Sequence, residues 1–212
     1  MPEPSTLAVF AAAAFALIVV PGPAVIYVLT QSVAHGRRAG LASVGGIAAG
    51  ALVHVLAAAV GLSSLLVSSA LAFNVVKYAG AAYLVYLGVR RILGRDSSVA
   101  LVDAPPKPLR RLFRDGFVVN VLNPKVALFF FAFLPQFVDP SLGRVWLQIA
   151  VLGSLFVAIG VLSDGVYALL GGTFGGVLRR SRAYVTLERY VTGAVFVGLG
   201  ITAALTGQRR AA

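Results

Sequence analysis

Runs of roughly twenty apolar residues, each long enough to cross a bilayer as a helix, alternate along the chain with short stretches that collect most of its charge. The pattern predicts six membrane-spanning helices: about Leu7 to Thr30, within Leu41 to Val67, about Val75 to Leu93, about Gly116 to Phe137, about Trp146 to Gly171 and about Thr186 to Leu205. Two of these runs contain residues that a continuous helix does not accept. Pro21, Gly22 and Pro23 interrupt the first, inside a stretch with no charged residue between Glu3 and Arg37, and Asn123, Pro124 and Lys125 interrupt the fourth. A proline removes a backbone donor and crowds the turn before it, so both helices must break or kink there. In hydrocarbon the freed carbonyls must find partners within the protein or in a water-filled cavity, and broken helices accordingly line paths and binding sites.

The two breaks occupy corresponding places in two halves of the chain. Laid over each other, residues 1 to 95 and 110 to 207 match in order: Pro23 falls on Pro124, Gly50 to His54 on Gly160 to Asp164, Lys77-Tyr78 on Arg189-Tyr190, and Gly88 on Gly200. Three spans per unit make the second unit enter from the opposite side, an inverted repeat of the kind that supports alternating access. The expected architecture is an all-α polytopic membrane protein, one transmembrane transporter domain over residues 1–212. Repeat one covers about 1–95, a cytoplasmic linker about 94–113, and repeat two about 114–207.

Composition supports that class. Only 12% of the 212 residues are charged, against about 25% in soluble domains, and no polar stretch is long enough to enclose a core of its own. The N-terminus has no basic region before its apolar run, which predicts a first span and not a cleaved signal peptide. A net charge of +11 would point to nucleic acid in a soluble protein. Here the basic residues sit between apolar runs without aromatic interleaving, so they read as orienting charges and contacts to anionic lipid headgroups, with no nucleic-acid partner. Arg37 and Arg38, the seven Lys and Arg from Arg90 to Arg114, and Arg179, Arg180, Arg182 and Arg189 fall in the connections after spans one, three and five. Those connections are expected in the cytoplasm, with both termini outside and Arg209 and Arg210 as dissenting charges.

Few side chains in the spans can carry chemistry. Asp164 lies near the middle of the fifth, where a carboxylate costs about 2.5–3.5 kcal/mol on insertion scales. It should face the protein interior, suited to exchanging a proton or binding a substrate ammonium group. His54, its counterpart in span two, reads either as an interhelical hydrogen-bonding residue or as a second proton-coupling group. Lys125 either snorkels to the interface or meets a buried or substrate carboxylate. Half-helices beginning near Ala24 and Val126 would aim unpaired N–H groups at the cavity, a seat for an anionic group; with Asp164, that chemistry suits a zwitterion. Gly46 and Gly50 have the spacing of a close helix contact, read as packing. Phe129, Phe130, Phe131 and Phe133 read as lipid-facing or core filler, Tyr83 and Tyr86 as interface residues. The absence of cysteine excludes disulfides and thiolate chemistry. No soluble catalytic motif, cofactor motif or metal-ligand cluster is present, so the chain is not expected to be an enzyme.

The stretches VVPGPAVIYVLTQSVAHGRRAGLASVGGIAAG, VGLSSLL, VKYAGAAYLVYLGVRR and GFVVNVLNPKVALFFFAFLPQF resemble the LysE/RhtB family of amino-acid exporters. The match is close over spans one to four and looser over five and six. The resemblance implies a bacterial inner-membrane exporter of small amino acids or derivatives, driven by the proton gradient, without a cofactor. It places the family's proline motifs on Pro21, Gly22, Pro23 and on Asn123, Pro124, Lys125, and its acidic residue of span five on Asp164. Many members carry an aspartate where this chain has Ala51, which leaves His54 as the titratable side chain of span two. The alternatives are a metal-cation or drug exporter and a non-transporting membrane subunit. No motif distinguishes a monomer from a homodimer or names the amino acid.

Overall fold

The computed structural model describes residues 2–62, 70–93, 107–180, 190, 193–194, 197–202 and 204–205. Every regular element among them is helical. Helix α1 (Pro4–Val19) ends where the sequence demands it: Val20, ahead of Pro21, is extended at φ −68° and ψ 120°, because the proline ring disfavours helical geometry in the residue before it. Helix α2 (Pro23–His35) restarts the chain with Pro23 in its first turn, where a missing N–H costs nothing. The two are bent by 52°. Gly36, at φ 82°, turns the chain directly into α3 (Arg37–Ala57), which runs on into a π-helical turn at Ala58–Leu62. Helix α4 spans Ala70–Leu93.

The second half repeats the device. Helix α5 (Leu109–Val121) stops ahead of Asn123, and α6 (Pro124–Leu128) restarts with Pro124 in its first turn. It continues through a π-helical turn at Phe129–Phe133 and a 3₁₀ turn at Leu134–Phe137, and the two halves of this helix are bent by 45°. After a short turn, α7 runs from Val145 to Arg180. Two helices among the described residues, Arg37–Gly61 and Val145–Gly171, are long and apolar enough to cross a membrane, and four spans result if each bent pair is one. The expected third span corresponds to α4; of the expected sixth, residues 190, 193–194, 197–202 and 204–205 are described and are helical, and the linker up to residue 106 lies outside the described residues.

Close approach between helices is set by glycine. A Cβ on Gly46 would lie 2.0 Å from the Phe113 carbonyl oxygen, and one on Gly50 would lie 2.8 Å from that of Phe117. Reciprocally, Gly116 on α5 faces the Ser43 carbonyl at 2.8 Å. Helices α3 and α5 therefore meet backbone to backbone, the packing role expected of Gly46 and Gly50. Helix α7 packs along α3 and along both α1 and α2. The main apolar cluster is aromatic at its centre: Phe129 lies 4.8 Å from Phe156 and 5.6 Å from Phe10, ring centre to ring centre. Of the phenylalanines expected as lipid-facing or core filler, Phe129, Phe130 and Phe133 belong to this core; Tyr83 and Tyr86, expected at the interface, are exposed. Apolar side chains such as Leu52, Leu56 and Leu162 stand exposed on the outer faces of α3 and α7, as suits helices bathed in lipid.

Candidate functional site

The two helix breaks, separated by about a hundred residues of sequence, meet at one cavity. Its volume is about 50 Å³. Gly22, Ala24 and Val25 come from the first break; Asn120, Asn123, Lys125 and Val126 come from the second. Helix α7 contributes Phe156, Gly160 and Asp164, and α3 contributes Ala48 and Ala51.

The first break owes its closure to other helices. The Val19 carbonyl has lost its helical donor, four residues on, to Pro23, and Val20 leaves the helix in extended geometry. The Val19 carbonyl accepts from the Tyr167 hydroxyl of α7 at 2.7 Å, and the Val20 carbonyl accepts from Lys125 Nζ at 2.6 Å. Lys125 is 7% exposed and does not snorkel to an interface; its stem crosses Gly22, where a Cβ would sit 3.2 Å from Lys125 Cδ. Gly22 itself is extended, at φ −127° and ψ −169°, so what calls for glycine is the passing lysine and not the backbone angle. The N-terminus of α2 receives no side-chain cap.

The second break is finished mostly from within. Asn123 Oδ1 accepts the Lys125 backbone N–H at 3.1 Å, the bond of an N-cap. Asn123 Nδ2 donates to Asn120 Oδ1 at 3.3 Å, and Asn120 Nδ2 donates to the Ile47 carbonyl of α3 at 2.7 Å. The Asn120 carbonyl accepts from His54 Nε2 at 2.9 Å. A ring nitrogen facing a carbonyl must carry the proton, so this nitrogen of His54 is committed to the second break. The imidazole stacks on Phe130 at 6.1 Å and is not part of the cavity wall.

Asp164 is 4% exposed, and its Oδ1 is buried without a hydrogen-bond partner. Lys125 is the charge that acts on it electrostatically. A carboxylate oxygen left unpaired away from water is costly, so the site is poised for a proton or a cationic group. Among the described residues no three His, Asp or Glu side chains gather to hold a metal ion.

Of the sequence-predicted residues, Gly22, Asn123, Lys125 and Asp164 line the cavity. Pro21, Pro23 and Pro124 shape the breaks behind it, and His54 stands apart. Asn120 and Tyr167 were not singled out from sequence. Both carried a signal: Asn120 lies one turn ahead of Asn123, and Tyr167 one turn beyond Asp164, the spacing of neighbours on one helical face.

The sequence matches the LysE type translocator family over residues 15–207. The chain belongs to that family. It is 31% identical over 180 residues to a homoserine/homoserine lactone efflux protein of Salmonella typhimurium, covering 85% of this chain and 86% of the relative. It is 27% identical over 188 residues to a leucine efflux protein of Enterobacter sp., covering 87% and 88%. An uncharacterized membrane protein of Vibrio cholerae is 30% identical over 181 residues, covering 85% and 87%. No solved structure matches. The region shared with the LysE type translocators contains both breaks and every polar residue of the cavity, so this is a LysE-family translocator whose relatives include proteins named for homoserine and leucine efflux.

Proposed function

We propose that this LysE-type translocator exports a small amino acid, or a derivative of one, across the bacterial inner membrane in exchange for protons. The observation that carries the reading is Asp164, a buried carboxyl group with an unpartnered oxygen in a cavity walled by both helix breaks. A substrate ammonium group would pair with Asp164. The substrate carboxylate would sit toward Lys125 and the uncapped start of α2, whose dipole favours an anion. Ala48, Ala51, Val157 and Gly160 leave small apolar walls for the side chain. A proton arriving from outside would neutralise Asp164 and release the cargo on that side; its departure to the cytoplasm would ready the site again.

The inverted repeat is part of the same proposal. Helix α3 of the first half braces the second break through His54 and Ile47, and α7 of the second half braces the first through Tyr167; this reciprocity is what two units related by a twofold axis in the membrane plane would produce. The basic connections then face the cytoplasm and both termini lie outside.

The test is amino-acid efflux from cells fed mixed dipeptides, comparing the intact protein, Asp164→Asn and an empty vector at equal membrane abundance. A subset of amino acids should accumulate outside with the intact protein alone, and Asp164→Asn should lower that efflux at least about tenfold, since the intramembrane charge would no longer cycle. Three indistinguishable media, with the proton gradient maintained, would remove amino-acid export and turn attention to cation or drug efflux.

A further inference from the structure

One lysine connects the two breaks. Lys125 belongs by sequence to the second, yet its ammonium group donates to a carbonyl of the first, 105 residues away. The same charge acts on Asp164, whose Oδ1 has no hydrogen-bond partner. Two acceptors thus lie within the field of one flexible, three-donor cation. Which one wins depends on the state of the carboxyl group. Against a protonated Asp164, or one engaged by a substrate ammonium, the Val20 carbonyl is the better partner. Against a bare carboxylate, the ammonium gains a partner of opposite full charge, a stronger attraction in a buried site than the same ammonium has for a neutral carbonyl.

We propose that Lys125 is a latch between the two breaks: it holds the Val20 carbonyl and closes the first break while Asp164 is neutralised, and it crosses to the Asp164 carboxylate, freeing that break, when Asp164 is bare. The structure then represents the latched state. Tyr167 acts as a positioning residue for this exchange. It lies one turn from Asp164 on α7 and keeps the Val19 carbonyl satisfied, so release of Val20 loosens a hinge without leaving both carbonyls of the break unpaired in a dry environment. Gly22 keeps the path clear for the lysine stem. Among the described residues, the titratable groups on Asp164's side of the site are Lys125, from the second break, and Tyr167, on its own helix. The elements packed against α7 there, α1, α2 and α3, present Leu17, Ile18, Ala24, Val25, Val44 and Ala51 to the cavity, none of which titrates.

The inference deepens the export reading and rests on it for the role of Asp164, but its test needs no transported substrate, so the two can fail separately. Because the chain has no cysteine, Ala24→Cys places a single thiol on the cavity wall beside the first break. The probe is a hydrophilic maleimide, applied to the purified protein in lipid nanodiscs, with rates taken relative to the same thiol in unfolded protein at each pH. Between acidic buffer, about pH 5, and basic buffer, about pH 9, relative labelling should rise about 5- to 10-fold, the lower range of coupling between linked sites. Asp164→Asn should hold labelling at the slow, acidic rate at both pH values. Lys125→Met should abolish the step and label fast throughout. If Lys125→Met does not fold, Gly22→Val decides: its extended backbone accepts valine, and the branched side chain displaces the lysine stem while leaving both charges in place, so it too should erase the step. No step in the otherwise intact protein, a step that survives in Asp164→Asn, or a step that survives in Lys125→Met or in Gly22→Val overturns the latch.

Discussion

The first break, Val19 to Gly22, and the second, Leu122 and Asn123, start from the same local chemistry and are completed in opposite ways. In each, a proline opens the following half-helix in its first turn and the chain bends by 45° or more. The second break carries its own finish: Asn123 caps the new helix, and Asn120 ties that cap to the α3 backbone. The first has only apolar residues, prolines and a glycine, and it borrows Tyr167 from 148 residues away and Lys125 from 105. A break whose new helix is capped by its own side chain keeps that cap when its neighbours move. One held by donors from other helices is free to change when those donors do, and in a translocator that makes the first break the moving part and the second its frame.

The comparison can be broken in several ways. The largest expected effect comes from the frame. Asn120→Leu strips the Ile47 carbonyl and the Asn123 amide of their partners, which should destabilise the protein by about 2 kcal/mol in unfolding measurements in mild detergent; a loss near zero would mean that the network is ornamental. Tyr167→Phe should cost about 1 kcal/mol, and its effect should be local: amide exchange at Ile26, which donates to the Gly22 carbonyl, accelerates while that at Ala127, which donates to the Asn123 carbonyl, does not. Equal acceleration at both sites would erase the distinction between frame and moving part. Asn123→Ala should also cost about 1 kcal/mol, whereas Asn123→Ser, which retains a capping oxygen, should recover most of it; equal losses would show that the cap contributes nothing. The smallest effect is expected at His54. Glutamine can still donate to the Asn120 carbonyl, so His54→Gln should leave the pH profile of efflux unchanged, and a displaced profile would return His54 to the coupling groups.

That last case shows how far pattern reaches. His54 and Asp164 are equivalent by sequence alignment of the halves, and an alignment of two half-similar helices fixes position along the axis. It does not fix which way a side chain is turned. Neighbouring positions on a helix differ by about 100°, so a small rotation of one helix against its partners sends one group to the cavity and the other to a backbone carbonyl. The rotation of α3 is set by Gly46, Gly50 and Gly116, where backbones touch. Those glycines were legible as a packing motif, but the partner they select was not. Asn120 and Tyr167 escaped notice for a related reason: an asparagine or a tyrosine in a span is unremarkable until the carbonyl it satisfies is known.

By itself the sequence determined where two apolar helices break, where two unbroken ones long enough to cross a membrane lie, and that Asp164 must turn inward. These follow from short-range physics: proline's missing donor and ring clash act within one turn, and the cost of a carboxylate in hydrocarbon depends on depth and not on neighbours. Tertiary structure alone decided which donors repair each break, that Lys125 serves the break it does not belong to, and that Asp164 rather than His54 joins the cavity. Those choices depend on hydrogen bonds spanning 66 to 148 residues of chain, and an acceptor's partner at that separation is fixed only once the helices have packed.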